Sequence, residues 1–413
     1  MHKIIIWSVL IGYLIVITKA EDQPSSSGNP SVVSETWGDK LKKDLLAHYD
    51  RNIRPTQHYN VTNVNLKFTI RHVDIDEENS IFSVYGWIKM EWNDDKLKWN
   101  PANYANLDVI RTNPESVWKP DLVLYNNAKG SDNLHYGQTN VLIYNTGTVL
   151  WVPPTDYHSF CELNLRYWPF DYQTCFLKIG SWTFDGYKLN LTSGEDPEID
   201  IGVPNNQWSI RKVTTDRHVV FYSCCTEPYI DIQYNITLQR HSSTYKAIVI
   251  SPAFVIILLA LSVFLLPPQS GQKIVLNGVI VLIVTIFLIY FAQQLPAMSG
   301  NTPLIVTFFS TTLYLVAFST IIAVITLRIS RVRHNHPVPK AIKGQLDGFL
   351  GSLLCVSDGS VPSEGDKEAS GDSRDIACDA KQRDWCRFAS LIDRLAFVVY
   401  LIIFIVSIIH YSI

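Results

Sequence analysis

Cysteines are the first residues of this 413-residue chain whose spacing suggests chemistry. Cys161 and Cys175 enclose 13 residues (162–174), and a disulfide closing so short a loop contributes about 3 kcal/mol in the chain-entropy model. Cys224 and Cys225 are adjacent, an arrangement that rarely forms a disulfide because the ring is small and the peptide must distort. Two reduced thiols or a metal site are the alternatives, and no His or Cys stands nearby at metal-ligand spacing.

Trp87 lies in a segment of alternating polarity. Phe82, Val84, Ile88, Met90 and Trp92 would share one face of a strand, so Trp87 falls on the outward face with Lys89 and Glu91. An exposed aromatic side chain marks an interface more often than a core. Aromatic ring faces also attract quaternary or protonated amines, by about 0.5 to 2 kcal/mol for each contact.

Several function classes are disfavoured by what the sequence does not contain. We find no nucleophile elbow, metal-binding motif or phosphate-binding loop, so the sequence does not predict an enzyme, a cofactor or a metal. The formal net charge of -3 gives no indication of a nucleic-acid partner.

The first 20 residues predict a secretory signal peptide. Lys3 precedes an apolar run over 4–17, which is short for a membrane-anchoring helix, and small residues follow it. The next 220 or so residues would then lie outside the cell, where disulfides form. This part also contains three Asn-x-Ser/Thr sequons, at Asn60, Asn190 and Asn235.

The mature chain is expected to open with a short amphipathic helix and to continue as an all-β sandwich. Apolar residues recur at helical spacing from Ser34, a candidate N-cap, to Tyr49. Short alternating strands separated by Pro, Gly and Asn then continue to Leu238, which is typical of an immunoglobulin-like Greek-key sandwich.

Four apolar segments follow, each long enough to cross a bilayer: 247–266, 274–292, 304–327 and 395–413. Pro252 would kink the first of them. Basic residues after the third segment place the following loop in the cytoplasm, with both chain ends outside. The loop contains an acidic, Ser/Gly-rich stretch over 357–375 that is predicted to be disordered, and a helix over 380–394 that could continue into the last segment. The predicted domains are a signal peptide (1–20), an extracellular sandwich (21–244), three membrane helices (245–327), a cytoplasmic segment (328–394) and a fourth membrane helix (395–413).

The sequence resembles the Cys-loop family of pentameric ligand-gated ion channels from the first helix through all four apolar segments. The loop between Cys161 and Cys175, which contains "WPFD", resembles the signature loop of that family. The stretches "WKPDLVLYN", "GSWTFDG", "FYSCCTEPY" and "GWIKMEW" occur in the family order and are most similar to an α-type nicotinic acetylcholine receptor subunit. The resemblance implies a multi-pass subunit of the plasma membrane that assembles with like subunits as a homo- or hetero-pentamer in contact with membrane lipid.

The same resemblance implies a binding site for a small cationic, acetylcholine-like amine between two subunits. The principal face would contribute Tyr125, Trp182, Tyr222 and Tyr229, together with a vicinal disulfide between Cys224 and Cys225. The neighbouring subunit would contribute Trp87 and an apolar set comprising Leu142, Leu150 and Val152. Residues implied in coupling this site to the membrane domain are Arg240, paired with Glu77 or Glu78, the signature-loop residue Phe170, and a polar trio of Lys178, Tyr222 and Asp231.

The second apolar segment departs from the cation-selective members of the family. Where those members have "GEK" and a further acidic residue, this chain has Gln272 in "GQK" and Gln293. Spacings of four and three residues place Val275, Val279, Leu282, Ile286, Ile289 and Gln293 in one stripe, which would line the pore without hydroxyl groups or acidic rings. Alternatively, the helix is rotated so that Asn277, Gly278 or Thr285 meets the water. Two functions are therefore weighed: an agonist-gated channel, and a membrane-tethered binding receptor of the same family that conducts poorly or needs partner subunits.

Overall fold

The computed structural model describes residues 35–130, 136–194, 197–200, 205–296, 302–334, 336–348, 352–354 and 373–412. The predicted signal peptide, Ser34, Cys355 and most of the acidic stretch lie outside the described residues, as does the side chain of Cys378. The opening helix runs from Trp37 to Leu46. Thr36 caps it, because its hydroxyl accepts from the Asp39 backbone N–H while the Asp39 carboxylate accepts from the Thr36 N–H, in a reciprocal capping box.

Two sheets form the extracellular half. The strands are β1 (Thr62–Asp76), β2 (Ile81–Asn93), β3 (Val109–Thr112), β4 (Leu122–Leu124), β5 (Val141–Tyr144), β6 (Thr148–Trp151), β7 (Pro154–Phe160), β8 (Tyr172–Ser181), β9 (Leu189–Ser193), β10 (Glu198–Ile199), β11 (Trp208–Phe221) and β12 (Pro228–Arg240). The larger sheet has the order β10-β1-β2-β6-β5-β3, with β7 also paired to β2 and β9 to β1. The smaller sheet has the order β11-β12-β8-β4.

The sandwich core lies between these sheets. Phe68 of β1 packs edge-on against Tyr157 of β7 and at a tilt against Tyr234 of β12, with ring centroids 5.8 and 5.6 Å apart. All three rings are fully buried, as alternation along the strands requires. The Cys161–Cys175 disulfide joins the residue after β7 to β8 and so ties the larger sheet to the smaller one.

Four helices of the described residues are long and apolar enough to cross a membrane: Ser243–Leu265, Gln272–Gln294, Leu304–Arg331 and Lys381–Tyr411. The first contains a π-helical turn over Lys246–Ile250, immediately before Pro252, where the missing N–H of proline interrupts the regular ladder. The fourth belongs to a continuous helix from Ser373 to Ser412, which joins the helix expected over 380–394 to the apolar segment expected over 395–413. A short helix, Lys340–Asp347, packs against the part of this helix that contains Phe388 and Leu391.

The signature loop connects the two halves. Trp168 packs edge-on against Tyr245 of the first membrane helix and Phe291 of the second, with centroids 4.9 and 6.0 Å away. The Leu304 N–H at the start of the third helix donates to the Arg166 carbonyl. The loop therefore rests directly on three of the membrane helices.

Candidate functional site

Two of the predicted aromatic residues lie side by side on the smaller sheet. Tyr125 follows β4 and Trp182 follows β8, and their rings meet edge-on at 6.3 Å. The Tyr125 hydroxyl donates to the Ser181 carbonyl at 2.6 Å, and its ring occupies the space that a Cβ at Gly180 would need. Burial, followed by the charge of nearby tyrosines and carboxylates, raises the pKa of Tyr125 above its usual value of 10.0, so the site presents a neutral phenol.

The loop that carries Trp182 is held by Asp121. The Ser181 hydroxyl donates to Asp121 Oδ1 at 2.5 Å, while the Thr183 N–H and hydroxyl donate to Oδ2 at 2.8 and 2.6 Å. Trp182 itself is 69% exposed. Its backbone is thus fixed while its indole remains available to a ligand. Asp121 was not among the predicted site residues, although it stands inside the "WKPD" motif.

The β11–β12 hairpin places the other principal-face residues. Tyr222 and Tyr229 stand on either side of its turn, with rings 5.7 Å apart. Cys224 and Cys225 form a disulfide at the tip of the hairpin. At the tip, Tyr222 and Cys224 are exposed, whereas Tyr229 is half-buried.

An ion pair links the strands of the hairpin to β8. Lys178 Nζ is 3.2 Å from Asp231 Oδ2, and His218 Nδ1 is 2.9 Å from Asp231 Oδ1. The structure therefore brings together Lys178 and Asp231 of the predicted trio, whereas the Tyr222 ring packs on Tyr229. His218 is a partner that sequence reasoning missed. It faces Asp231 directly in the β11–β12 register, which strand alternation alone could have suggested.

The predicted complementary-face residues lie on the other sheet. Trp87 of β2 points outward under the Arg71 guanidinium, 5.8 Å from its ring centroid. Leu142 and Leu150 are cross-strand partners on β5 and β6, and Leu150 in turn faces Glu91 on the outward side of β2. Val152 follows β6 and is half-buried. These side chains therefore lie on or beside the larger sheet, whereas the predicted principal-face aromatics flank strands of the smaller one.

Arg240 forms a buried cluster at the membrane end of β12. Its guanidinium binds both oxygens of Asp171, at 2.7 and 3.1 Å, and also pairs with Glu77 of the β1–β2 turn. It lies over the Trp208 ring at 4.3 Å. Burial alone would lower the pKa of this guanidinium, but Asp171 and then Glu77 outweigh burial and hold the pKa above its ordinary value. Glu77 was an expected partner, and Asp171 of the signature loop adds a second. Phe170, beside Asp171, is exposed.

The second membrane helix has two contrasting faces. The predicted stripe is exposed along its whole length: Val275, Val279, Leu282, Ile286, Ile289 and Gln293. The opposite face is buried against the other helices and includes Asn277, whose amide donates to Ser319 of the third helix. A rotation that turns Asn277 to water is therefore wrong for this helix, whereas Gly278 and Thr285 lie at the edge of the exposed face.

The predicted sequons and one further cysteine of the described residues lie outside these groups. Asn60 is exposed, whereas the amides of Asn190 and Asn235 donate to Asn63 and Asp216. Cys386 is a buried free thiol near Ser330. Among the described residues, no group of three or more His, Cys, Asp or Glu side chains could hold a metal ion.

Comparison with known proteins identifies the family to which the chain belongs. Residues 38–242 match the family described as the neurotransmitter-gated ion-channel ligand binding domain, and residues 249–376 match the neurotransmitter-gated ion-channel transmembrane region. The rat protein named neuronal acetylcholine receptor subunit alpha-10 is 35% identical over 327 residues, which cover 78% of this chain and 73% of that protein. The chain belongs to the neurotransmitter-gated ion-channel family.

Two insect relatives are similar over a smaller part of their length. Acetylcholine receptor subunit alpha-like 2 of Drosophila melanogaster is 38% identical over 304 residues, and acetylcholine receptor subunit alpha-L1 of Schistocerca gregaria is 37% identical over 303. Each match covers 70% of this chain but only 52% and 54% of those proteins, so the chain spans about half their length. The family consists of ligand-gated channels rather than enzymes, and its members are multi-pass plasma-membrane proteins whose N-terminal domain is extracellular.

Proposed function

We propose that this neurotransmitter-gated ion-channel family member is a subunit of a pentamer, homomeric or mixed, that binds a small cationic, acetylcholine-like amine at each suitable subunit interface. The observation that carries the proposal is that one chain has the two predicted residue sets on different sheets, with Trp182 and Tyr222 exposed and the other aromatic side chains half-buried. Trp182 with Tyr125, Tyr222 and Tyr229 would form the principal side, and Trp87 of a neighbour would complete the box, with Leu142, Leu150 and Val152 as its apolar wall. The faces of these aromatic rings can hold a cation through their quadrupoles, while the nearby carboxylates Asp121 and Asp231 are already bound to groups of the same chain.

A route from this site to the membrane follows one strand. β12 begins at Pro228, beside Tyr229, and ends at Arg240, so it runs without interruption from the aromatic site to the domain junction. Closing the Cys224–Cys225 loop over a ligand would pull on the start of this strand and on the Lys178–Asp231 pair. Arg240 would pass the movement through Asp171 to the signature loop, which rests on the membrane helices.

The exposed stripe on the second membrane helix would line the pore. At ~100° per residue, the centre of the stripe lies opposite the buried face of the helix. If the other helices of each subunit pack outside the second helix, the stripe then faces the central axis of the pentamer. Five copies would produce rings of Val, Leu and Ile. Such constrictions exclude water, and Gln272 and Gln293 provide no charge to concentrate cations.

This lining favours a second function within the same family. The chain would bind agonist but conduct little by itself, and it would need partner subunits whose second helix is more polar. The two functions share one binding site, so binding and current must be measured separately.

An intersubunit site predicts complementation between two defective chains. Each of the variants Trp182→Ala and Trp87→Ala, expressed alone as full-length protein, should lose saturable binding of a labelled quaternary amine such as acetylcholine. In a homopentamer, co-expression of the two should restore some sites, because some interfaces then combine an intact Trp182 with an intact Trp87.

Trp37→Ala is the matched control, because Trp37 is an exposed tryptophan on the opening helix, away from both half-sites. It should leave binding unchanged. Binding that survives Trp182→Ala would contradict the assignment, and so would a failure of the co-expressed variants to regain any sites in a chain that assembles alone.

A further inference from the structure

A buried ion pair joins the second and fourth membrane helices at their cytoplasmic ends. Lys273 Nζ donates to Asp393 Oδ2, and the two side chains are only 1% and 4% exposed. Lys273 is the second residue of its helix, next to Gln272. Arg394, half-buried beside Asp393, is a further cation close to the pair. The relation of Asp393 to Lys273 was not foreseen, because 120 residues separate them.

The pair lies on the opposite side of the helix from the apolar stripe. At ~100° per residue, Lys273 is about 200° from Val275, which opens the stripe, and it shares the buried face with Asn277 and Ile280. Gln272, by contrast, is exposed and uncharged. The charged group of this helix that lies nearest to the inner end of the stripe is therefore the Lys273 ammonium, and it points away from the stripe.

An ammonium in this position needs a counter-ion. Ionisable residues at membrane depth are costly unless they are paired, and removing one partner of a buried pair leaves an uncompensated charge. Lysine also has a flexible four-carbon stem, which lets its charged end move toward the nearest water. For Lys273, that water would be at the inner mouth of the proposed pore.

We propose that Asp393 is a positioning residue for ion selectivity: it holds Lys273 within the helix bundle and thereby keeps the Lys273 charge away from the inner mouth of the pore. This inference rests on the proposed function, since it requires a pore lined by the second helix. Without Asp393, five Lys273 ammonium groups would turn toward the mouth. They would repel cations and concentrate anions there.

The test uses the full-length chain with Leu282→Ser, a substitution expected to open the apolar constriction and give a measurable current. Reversal potentials recorded while external NaCl is diluted give the chloride-to-sodium permeability ratio. Asp393→Asn should raise this ratio, by about threefold or more for charges that interact within a few ångströms at the protein surface. Adding Lys273→Gln should return the ratio to its starting value, because the ring of charge is then absent.

Asp384→Asn is the matched control. Asp384 lies on the same helix as Asp393 and pairs with Lys343 at 3.0 Å, but Lys343 is exposed and belongs to the short cytoplasmic helix. The same chemical change there should leave the permeability ratio unchanged. Surface biotinylation of each variant reports whether it reaches the membrane.

If Asp393→Asn alone fails to reach the surface, Lys273→Gln with Asp393 intact provides the comparison. It should lower the chloride-to-sodium ratio relative to the doubly neutral variant, because a carboxylate then remains without its cation. An unchanged ratio in a conducting Asp393→Asn variant would overturn the inference and leave the pore assignment standing. Equal ratios in the Lys273→Gln variant and the doubly neutral variant would do the same. Absence of any current from Leu282→Ser would instead overturn the pore assignment and this inference with it.

Discussion

The extracellular half and the membrane half arrange polarity in opposite ways. In the sandwich, Asp121 holds the loop of Trp182 and Asp231 joins neighbouring strands, while aromatic groups such as Trp182 stand at the surface. In the second membrane helix, the polar side chains Lys273 and Asn277 are buried, and the exposed stripe between Gln272 and Gln293 is apolar, with Thr285 at its edge. Under the proposed function, the first half would present a ligand site, whereas the second would line a pore that water enters poorly. Binding and conduction would therefore be separable properties of this chain.

Breaking the junction between the halves should have the largest effect. Arg240→Gln would leave Asp171 and Glu77 without their cation, and an unpaired buried charge costs about 3 to 5 kcal/mol. We expect the unfolding free energy to fall by that amount, or the surface population of the chain to collapse, as measured by thermal denaturation and by surface labelling.

Arg51→Gln is the control for this prediction. Arg51 also faces a carboxylate, Glu115 at 4.0 Å, but both side chains are exposed, so the loss should stay below about 1 kcal/mol. Equal effects of the two substitutions would show that the junction is an ordinary surface contact.

Removing the central aromatic side chain should have the next largest effect, and it should be confined to the binding half. Trp182→Ala deletes a cation–π contact worth about 2 kcal/mol when desolvated, so affinity for a quaternary amine should fall at least about 30-fold. Equilibrium binding provides this number. Thermal stability should barely change, because the indole is exposed; a large loss of stability would mean that Trp182 belongs to the core instead.

A polar substitution in the stripe should affect only the membrane half. Leu282→Ser places five hydroxyl groups in a ring that is otherwise apolar, so it should increase agonist-independent current and leave amine affinity within about threefold. Whole-cell recording with and without agonist measures both the leak and the response.

Leu258→Ser on the first membrane helix is the matched substitution, since Leu258 and Leu282 are 66% and 65% exposed in the isolated chain. We expect no leak from it. If Leu258→Ser leaks and Leu282→Ser does not, the stripe does not line the pore.

Alkaline pH should produce the smallest effect and should act on the sandwich. Burial raises the pKa of Tyr125 above 10.0, so the folded state holds its proton more tightly than the unfolded chain does. The corresponding stability is fully present below pH 10 and is lost as pH rises toward the folded pKa, at up to about 1.4 kcal/mol per pH unit.

Chemical denaturation at pH 9 and pH 11 would show this loss, and Tyr125→Phe should make it smaller. A Tyr125→Phe chain with an unchanged alkaline loss would assign the effect to other buried tyrosines such as Tyr49 and Tyr157, whose pKa values burial also raises.

Sequence motifs identified the aromatic residues because each lies in a short local pattern, and the family and fold class that they predicted are confirmed by the family matches. The supporting contacts were harder to predict because they join distant segments. Asp171 reaches Arg240 across 69 residues and Lys273 reaches Asp393 across 120. Neither pairing follows from periodicity, which describes one element at a time.

Element ends were also only partly predictable. A helix over 380–394 was expected to continue into the apolar segment over 395–413, and the structure has one helix that includes both but begins earlier, at Ser373. Hydropathy marks where a helix becomes apolar, and a helix can continue into the cytoplasm when an amphipathic face has something to pack against. Here Phe388 and Leu391 pack against Leu346 of the short cytoplasmic helix.

The most direct test of the account measures binding and current on the same cells. The unmodified chain, expressed alone, would be exposed to acetylcholine during voltage-clamp recording, and surface binding of labelled amine would be determined in parallel. We predict saturable binding that requires Trp182, accompanied by little or no agonist-evoked current. Large, cation-selective currents from the unmodified chain alone would contradict the central claim that its binding site is complete while its pore is too apolar to conduct.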